Sequence, residues 1–310
     1  MYDKISFKAR IDESDIDTIV LREYLEQYTR GDEIFYRSTA YANLTGVTIE
    51  INGNVLKCKC SINKLFYKQV VGKLDNSRPM TFANATKTIK ELLMRLCIKA
   101  KDAYVTYYEI GLTMRMSHSP DTYIRAIQSG IGRTFWNDPS YPEMRQKVTE
   151  KSKYFRKILK MYDKTFEATE KGREVIDNVL RVETIYKHQS VPMITFLDKN
   201  FQTKQAKRFY DDWSHIQFRR ELKAKKGVKL SQLVKAREIH SLGVTPYLDK
   251  YRTLWKAGEI TKKTWQTIRE YGNAWNTEKE RYDEIISEEE REYQEKLLNL
   301  LQIGIITSKQ

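Results

Sequence analysis

The chain has little cysteine and no long apolar run, which argues against a disulfide-stabilised protein and against a membrane-spanning one. Its 310 residues include three cysteines, Cys58, Cys60 and Cys97, which do not suggest a disulfide framework. Cys58 and Cys60 would face the same way on a strand, and no second pair of ligands lies nearby for a zinc site. No apolar stretch approaches the roughly 20 residues of a membrane helix, and no signal peptide opens the chain, so we expect a cytoplasmic protein.

The chain also lacks a Gly-x-x-x-x-Gly-Lys-Ser/Thr loop, which argues against a P-loop ATPase. What it has in excess is positive charge: 55 Lys and Arg against 41 Asp and Glu, a net charge of +14. A surplus of this size favours a polyanionic partner, and nucleic acid is the commonest one. The 20 tyrosines favour the same partner, because aromatic rings stack on bases. A basic soluble protein without such a partner is the alternative.

Patterning up to about residue 198 predicts a mixture of strands and helices. Alternation around Asn52-Gly53-Asn54 predicts a β-hairpin over residues 46–62. Apolar spacing predicts helices over residues 81–100 and 121–129, and strands over residues 104–116, 153–164 and 179–185. Gly111 is a candidate bulge, and residues 133–142 read as a loop. This order predicts an α+β fold, with helices packed on an antiparallel sheet.

The composition changes near Asp198, after which charged helical patterns dominate. They predict helices over residues 201–225, 231–240, 246–257, 261–271 and 277–301, with a basic hinge at residues 223–229. We therefore predict two domains: residues 1–198, with the antiparallel sheet, and residues 199–310, a helical C-terminal region.

Three residues of the first domain carry the chemistry. Tyr162 lies between Lys160 and Lys164, whose positive charge favours the phenolate of an otherwise poor nucleophile. Glu109 and Glu183 lie in apolar strand sequence, where two carboxylates brought together make good metal ligands and poor neighbours without a metal. A tyrosine nucleophile and a metal held by acids are what a protein needs to cut DNA and remain attached to its end.

Each of these residues also has an ordinary structural explanation. Tyr162 fits a half-buried strand tyrosine, and Glu109 and Glu183 fit ion pairs, with Arg181 as a partner for either. Their order and spacing together distinguish the two interpretations.

That order resembles a known family. The sequence from Ser152 to Glu167, which contains Lys-Met-Tyr-Asp-Lys, resembles the segment ending in Arg-Ile-Tyr-Asn/Asp-Lys-x-x-Glu of rolling-circle replication initiators. Leu-Arg-Val-Glu at residues 180–183 is similar to the family's later Arg-Val/Ile-Glu strand, and residues 106–112 stand where the family has a strand carrying a metal-site acid. The end of the hairpin, residues 56–65, is like the family's strand before Asn-Pro-x-Lys-Leu. Related patterns occur in replication proteins of filamentous phage.

The resemblance covers about residues 46–188 and implies a plasmid- or phage-encoded initiator whose first domain is a nickase and whose second binds DNA. It implies Tyr162 as the nucleophile, leaving a 5′-phosphotyrosine and a free 3′-hydroxyl, with Mg²⁺ or Mn²⁺ held by Glu109 and Glu183. The expected metal-site Asp is Glu109 here, and no His-hydrophobe-His pair is present; His188 is the histidine best placed to join the site.

Further roles are expected around these residues. Lys164 and Lys160 would stabilise the charge on the phosphorus, and Arg156 or Arg181 would grip flanking phosphates. The implied partners are origin DNA, single-stranded or as supercoiled duplex, together with a host helicase and polymerase, and the implied assembly is a homodimer.

The predicted helix over residues 261–271 has two interpretations. Lys262, Lys263 and Arg269 would contact DNA if the helix lies in a groove. Alternatively the helix is solvated, with Trp265 as its core anchor.

The sequence leaves three alternatives to this interpretation open. Tyr154 is a rival nucleophile, eight residues before Tyr162. A tyrosine recombinase would have a His-x-x-Arg pair, whereas His215 is followed by Arg219 at a different spacing. A non-catalytic DNA- or RNA-binding protein would bind in a salt-dependent way without metal-dependent cleavage.

Overall fold

A computed structural model describes residues 2–39, 46–72, 80–130, 136–138, 141–149, 157–170, 172 and 178–306. It divides into two compact units: Met1–Ile216 together with Glu292–Gln310, and Gln217–Arg291. This division differs from the predicted boundary at residue 198. The reason is that the helix after Asp198 buries Phe209 and Trp213 in the first unit. Near the chain end, the Tyr293 hydroxyl donates to the Trp213 carbonyl, 3.2 Å away.

The first unit is built on an 11-stranded sheet whose neighbours run antiparallel, which confirms the predicted α+β class. Its strands are β1 (Tyr2–Arg10), β2 (Leu25–Arg30), β3 (Glu33–Ser38), β4 (Val47–Asn52), β5 (Val55–Ser61), β6 (Ala103–Arg115), β8 (Trp136–Asp138), β9 (Tyr141–Thr149), β10 (Lys157–Asp163), β11 (Val179–Tyr186) and β12 (Val191–Pro192); a further strand, β7, spans Ile127–Gly130. The order across the sheet is β2-β3-β4-β5-β1-β6-β11-β10-β9-β8, with β12 beside β6.

Helices of the first unit pack against this sheet. They are α1 (Glu13–Glu23), α2 (Ile62–Val71), α3 (Phe82–Arg95), α4 (Pro120–Ala126), α5 (Lys164–Glu170), α6 (Met193–Phe196) and α7 (Lys199–Ser214). Tyr2 of β1 and Tyr108 of β6 point into this core, where the Tyr2 ring stacks on Phe196 and meets Phe82 edge-on. Because side chains alternate along a strand, the neighbouring polar residues of β1 and β6 face the other way.

The remaining elements are β13 (Ile216–Phe218), β14 (Glu221–Ala224), α8 (Leu230–Leu242), α9 (Val244–Lys256), α10 (Lys262–Asn273), α11 (Trp275–Glu278), β15 (Tyr282–Ile285) and α12 (Glu288–Ile306). Within the second unit, β14 pairs with β15, and the helices enclose Ile239, Tyr247, Trp265 and Ile268. Among the described helices, none combines the length and apolar character that crossing a bilayer requires.

Most predicted elements are present with shifted ends. The hairpin is confirmed as β4 and β5, and the strands over residues 104–116 and 179–185 as β6 and β11. The helix predicted over residues 201–225 is too long: α7 ends at Ser214, and residues 221–224 pair as β14, where the basic hinge was expected to begin. The last predicted helix is interrupted by β15. Gly111 is not a bulge against β11, because the register there runs without a shift. Of the predicted loop at residues 133–142, the described residues are the strand β8 and the start of β9.

A buried hydrogen bond fixes α7 to the central sheet. The Trp213 indole donates to the hydroxyl of Thr184, 3.0 Å away, and both residues are fully buried. We expect Thr184→Val to lower the free energy of unfolding by roughly 1–3 kcal/mol, because the indole N–H loses this acceptor in a dry core. Urea denaturation measures the effect. Thr48→Val, at an exposed position of β4, is the matched control and is expected to change stability little; equal losses in both variants would contradict the assignment.

Candidate active site

Four neighbouring strands, β1, β6, β11 and β10, bring the predicted site residues to the face of the sheet opposite Tyr2 and Tyr108. Glu183 of β11 lies opposite Gly111 of β6 on one side and Lys160 of β10 on the other. Glu109 is two residues before Gly111, so it points to the same face as Glu183. Lys4 of β1 lies opposite Glu109. The two carboxylates predicted from sequence are therefore brought together by the strand register.

A third carboxylate, Asp3, joins them because β1 contains a bulge. Tyr2 lies opposite Ile110 and Lys4 lies opposite Glu109, so Asp3 is an extra residue on β1. Strict alternation would send Asp3 into the core with Ile5; the extra residue turns it to the opposite face. Oxygen atoms of Asp3, Glu109 and Glu183 all lie within 4.8 Å of one another, and all three residues are buried. Sequence reasoning missed Asp3, since the alternation at the start of β1 gave no sign of the bulge.

Arg181 forms ion pairs with two of these three carboxylates from inside the protein. Its Nη2 lies 2.8 Å from Asp3 Oδ2, its Nε lies 2.6 Å from Glu183 Oε1, and its Nη1 donates to the Thr113 hydroxyl. The residue is 1% exposed. The expectation that Arg181 grips a flanking phosphate therefore disagrees with the structure, because a buried guanidinium held by two carboxylates does not reach DNA.

The two glutamates differ in their proton affinity. Burial, reinforced by the nearby charge of Glu183, raises the pKa of Glu109 even though Lys4 lies 3.4 Å from its Oε1. Burial also pushes the pKa of Glu183 upward, but Arg181 and Lys160 outweigh it and hold that pKa below its ordinary value. Glu183 is therefore the carboxylate that stays ionised most firmly.

Tyr162 contacts this ionised carboxylate directly. Its hydroxyl donates to Glu183 Oε1 at 2.9 Å, the oxygen that also accepts from Arg181, so neither bond occupies Oε2. The Nζ atoms of Lys160 and Lys164 lie 4.6 and 5.9 Å from the centre of the tyrosine ring. Tyr162 is 3% exposed, and burial together with the charge of Glu183 raises its pKa well above the ordinary value. The expectation that the lysines favour the phenolate is thus reversed in this arrangement.

Lys164 has the environment of a structural residue, which its position in the sequence did not indicate. It is buried, and its Nζ lies 2.6 Å from Glu167 Oε2 on the first turn of α5. Burial lowers its pKa, with the charge of Arg181 acting in the same direction. Lys164 therefore lies beside the tyrosine ring with its charge already directed at Glu167.

Other predicted residues are not brought into the cluster. His188 is exposed, in a turn beyond β11 with φ of 53°, and is not one of the three residues that form the described metal-ligand cluster. Arg156 and the rival nucleophile Tyr154 lie outside the described residues.

Tyr107 is a residue that sequence reasoning missed: it shares the face of Glu109 and its hydroxyl donates to Glu109 Oε1. Its position two residues before Glu109 on a strand was the available signal.

In the second unit, the helix predicted over residues 261–271 is α10. Trp265 is buried among Ile239, Tyr247 and Ile268, so its role as a core anchor is confirmed. The predicted DNA-contacting residues on this helix are exposed: Lys262, Lys263 and Arg269. Their role in DNA binding stays a prediction.

Comparison with known proteins finds a structural likeness but no match in sequence. No family model matches the chain, and no curated protein matches it. Among solved structures, the rolling circle replication initiator protein from Geobacillus stearothermophilus is similar over 78% of this chain and 96% of that chain, with 8% sequence identity and a TM-score of 0.37.

The carboxylate cluster fits a divalent cation. Asp3 Oδ1 is buried and accepts no hydrogen bond within the described chain, so one oxygen of the cluster lacks compensation. Carboxylate oxygens are the ligands that Mg²⁺ and Mn²⁺ prefer. Arg181 and Lys4 form ion pairs with the cluster, and the charge of Lys160 also acts on Glu183, so the buried Asp3 oxygen without a partner is the feature that favours a cation.

Gly111 makes room for the Arg181 guanidinium. A Cβ atom added at Gly111 would lie 2.6 Å from Arg181 Nη2. We expect Gly111→Ala to lower the free energy of unfolding by about 1–3 kcal/mol, because the guanidinium must leave its two carboxylates or the strands must separate. Chemical denaturation measures the loss.

Gly272→Ala is the matched control for this prediction. Its added Cβ would lie 2.7 Å from Leu248 Cδ2, the end of a half-buried apolar side chain. Replacing a glycine inside a helix also recovers about 1 kcal/mol of helix propensity. We therefore expect a smaller loss at Gly272 than at Gly111, and the reverse order would contradict the role given to Arg181.

Proposed function

We propose that this chain is a DNA-nicking protein that becomes covalently joined to the cut end through Tyr162. One observation carries the proposal: the Tyr162 hydroxyl donates at 2.9 Å to Glu183, a member of the Asp3, Glu109 and Glu183 cluster. A phenol bonded to an ionised carboxylate has a proton acceptor in place. The resemblance of residues 152–167 and 180–183 to rolling-circle initiators supports the same assignment independently of the geometry.

The proposed reaction is a transesterification at a phosphodiester. The Tyr162 oxygen forms a bond to phosphorus while the bond from phosphorus to the 3′-oxygen breaks, and the phenolic proton passes to Glu183. The released 3′-oxygen takes up a proton and becomes a hydroxyl. The phosphotyrosine link conserves the energy of the broken bond, so the step needs no ATP and is reversible.

Asp3, Glu109 and Glu183 would hold the divalent cation, Mg²⁺ or Mn²⁺. When bound, the cation supplies positive charge that polarises the scissile phosphate and lowers the pKa of the nearby phenol. Arg181 keeps Asp3 and Glu183 in position, and Lys160, which is half-buried above the tyrosine ring, is the cation best placed to face the phosphate. Because Tyr162 is buried, a phosphodiester reaches its hydroxyl only after neighbouring side chains move.

In this proposal the role of the chain is to start rolling-circle replication. A cut at origin DNA leaves a 3′-hydroxyl that a host polymerase extends, with a helicase opening the duplex ahead. The exposed cations Lys262, Lys263 and Arg269 on α10 are candidates for reading the origin in the major groove. A homodimer belongs to the proposal through the family resemblance alone.

A second candidate function is a DNA-binding protein without catalysis. The net charge of +14 favours any polyanion, and Arg181 and Lys4 together explain how the buried carboxylates are tolerated without a metal. This candidate and the nickase differ in whether a covalent adduct forms.

The decisive experiment is adduct formation on DNA from the element that encodes the chain. Wild-type protein with Mn²⁺ or Mg²⁺ is expected to give a protein–DNA species that survives SDS, and Tyr162→Phe is expected to reduce it to background. Tyr107→Phe is the matched control, since it removes the other phenol that donates to this cluster. An adduct retained in Tyr162→Phe would move the nucleophile to Tyr154 or Tyr107. Salt-dependent binding without an adduct in any variant would favour the non-catalytic candidate.

Metal binding has a test that does not depend on cleavage. At Mn²⁺ concentrations about 100-fold above its dissociation constant, bound metal is expected to raise the free energy of unfolding by about 2.7 kcal/mol. Asp3→Asn and Glu109→Gln are expected to remove most of this increase, measured as the melting temperature with and without Mn²⁺. Glu50→Gln, which alters a half-buried carboxylate of β4 outside the cluster, is the control. The same Mn²⁺ effect in all variants would remove the metal from the proposal.

A further inference from the structure

The face of the sheet that carries the candidate active site continues onto β1, β5 and β4, where its side chains are exposed and largely basic. Lys8 and Arg10 of β1 and Lys57 and Lys59 of β5 are all exposed on this face. We call these four residues the basic face. They alternate with buried residues along both strands, so the backbone fixes their direction.

The charges of the basic face are only partly compensated within the protein. Lys57 lies 2.6 Å from Glu50, which also pairs with Arg37 at 3.2 Å. Lys8 lies directly opposite Lys57 in the strand register, and like charges so placed destabilise a sheet. Lys8, Arg10 and Lys59 contact no acidic side chain in the part of the chain that the structure describes. The face therefore holds cations whose counter-charge comes from outside.

A groove of about 270 Å³ runs through this face. Its polar lining combines three lysine ammonium groups and three hydroxyls with one carboxylate, that of Glu50, which pairs with Lys57: Lys8, Lys57, Lys59, Ser6, Thr48, Thr106 and Glu50. Ammonium and hydroxyl donors together are the groups that contact phosphate and sugar oxygens in nucleic-acid complexes. The groove is consistent with a phosphodiester backbone as its occupant.

The basic face leads directly to the carboxylate cluster. Lys4, which pairs with Glu109, lies on the same strand and faces the same side as Lys8. Four residues of strand separate them, or about 13 Å at the usual rise. A strand of DNA whose phosphodiester reaches Tyr162 therefore has a charged path away from the cut site along β1.

An aromatic pair lies further along the same face. Tyr28 of β2 is directly opposite Phe35 of β3, with ring centroids 5.7 Å apart and planes 14° from parallel, and Tyr28 is 41% exposed. Exposed rings offer a stacking surface to unpaired bases, whereas the bases of a duplex are already stacked on one another. This pair favours a single strand over a duplex as the occupant.

We infer that the basic face binds the single-stranded DNA that flanks the cut site, with Lys8 and Lys59 contacting phosphates and Tyr28 stacking on a base. The identity of the ligand as DNA rests on the proposed function; the surface itself rests on the register, the exposed cations and the groove.

Equilibrium binding of a fluorescent single-stranded oligonucleotide of mixed sequence, in EDTA so that no cleavage occurs, tests the inference. The variant Lys8→Thr/Lys59→Thr is compared with Lys87→Ala/Lys90→Ala, which removes the same charge from exposed positions of α3. Phe82 of α3 packs against Tyr2, on the opposite face of the sheet from Lys8. Threonine has a high strand propensity and alanine a high helix propensity, so each variant preserves the secondary structure at its positions.

Each phosphate contact to a single strand contributes about 0.7 to the salt slope of binding, so losing two lowers it by about 1.4. We expect this change in Lys8→Thr/Lys59→Thr, with affinity about 10- to 30-fold weaker at 0.1 M salt, and almost no change in the α3 variant. Tyr28→Ala is expected to weaken binding at least fivefold without changing the slope, because the ring carries no charge.

Equal effects of the two lysine variants would overturn the inference, as would a loss of affinity confined to duplex DNA. Unchanged affinity in Tyr28→Ala would remove the stacking ring from it. Melting temperature separates misfolding from lost contacts, since removing Lys8 relieves its repulsion with Lys57 and is not expected to lower stability. Normal adduct formation with an unchanged salt slope in the strand variant would sink this inference and leave the nickase standing. The expected slope change without any adduct would do the opposite.

Discussion

The ion bridge from Arg181 to Asp3 and Glu183 is the interaction on which the candidate site depends. Removing one partner of a buried ion pair costs roughly 3–5 kcal/mol, because the remaining charge has no water around it. Two buried carboxylates, Asp3 and Glu183, therefore lie close together because a buried guanidinium pairs with both of them. The guanidinium lies there because Gly111 has no side chain. A glycine, an arginine and two acids on three strands form one physical unit.

The same bridge sets the state of Tyr162. Glu183 Oε1 accepts from both Arg181 and Tyr162, so the phenol donates to a carboxylate whose charge is already partly neutralised. In this arrangement the phenol keeps its proton, and the negative field of the cluster opposes its loss. In the proposed reaction, loss of the phenolic proton requires additional positive charge at the cluster, which is what a metal on Asp3 and Glu109 would contribute. Tyr162 and the carboxylate cluster are thus electrostatically coupled through Glu183.

Local patterns predicted much of the fold but only part of the site. The hairpin of β4 and β5 and the strands β6 and β11 follow from alternation and turn residues, which are local properties. Glu109 and Glu183 were found because both are acids inside apolar strands. Arg181 was assigned to DNA for the opposite reason: its burial depends on Gly111, a residue on another strand, and no local pattern records that contact.

The other failures have similar causes. The C-terminal residues belong to the first unit because Tyr293 contacts Trp213, 80 residues away in sequence. Hydrophobic periodicity is a local property and does not predict such a contact. The strands β2 and β3 were not predicted, because β2 is exposed along nearly its whole length and lacks the apolar alternation that marks a half-buried strand. His188 was predicted to join the site because it is close to Glu183 in sequence. A side chain joins a site only if the backbone directs it there, and the turn after β11 places His188 away from the carboxylate cluster.

The bulge at Asp3 has a consequence for how such a site arises. Without that residue, Tyr2, Lys4 and Ile5 would follow one another in regular in–out–in alternation, and β1 would pair with β6 without a shift from Tyr2 to Ser6. A single-residue insertion therefore suffices to add a carboxylate to the face without disturbing the core side chains on either side. The strand could gain or lose this ligand by a change of length, with every neighbouring residue conserved, and aligned sequences would show the event as a gap instead of a substitution.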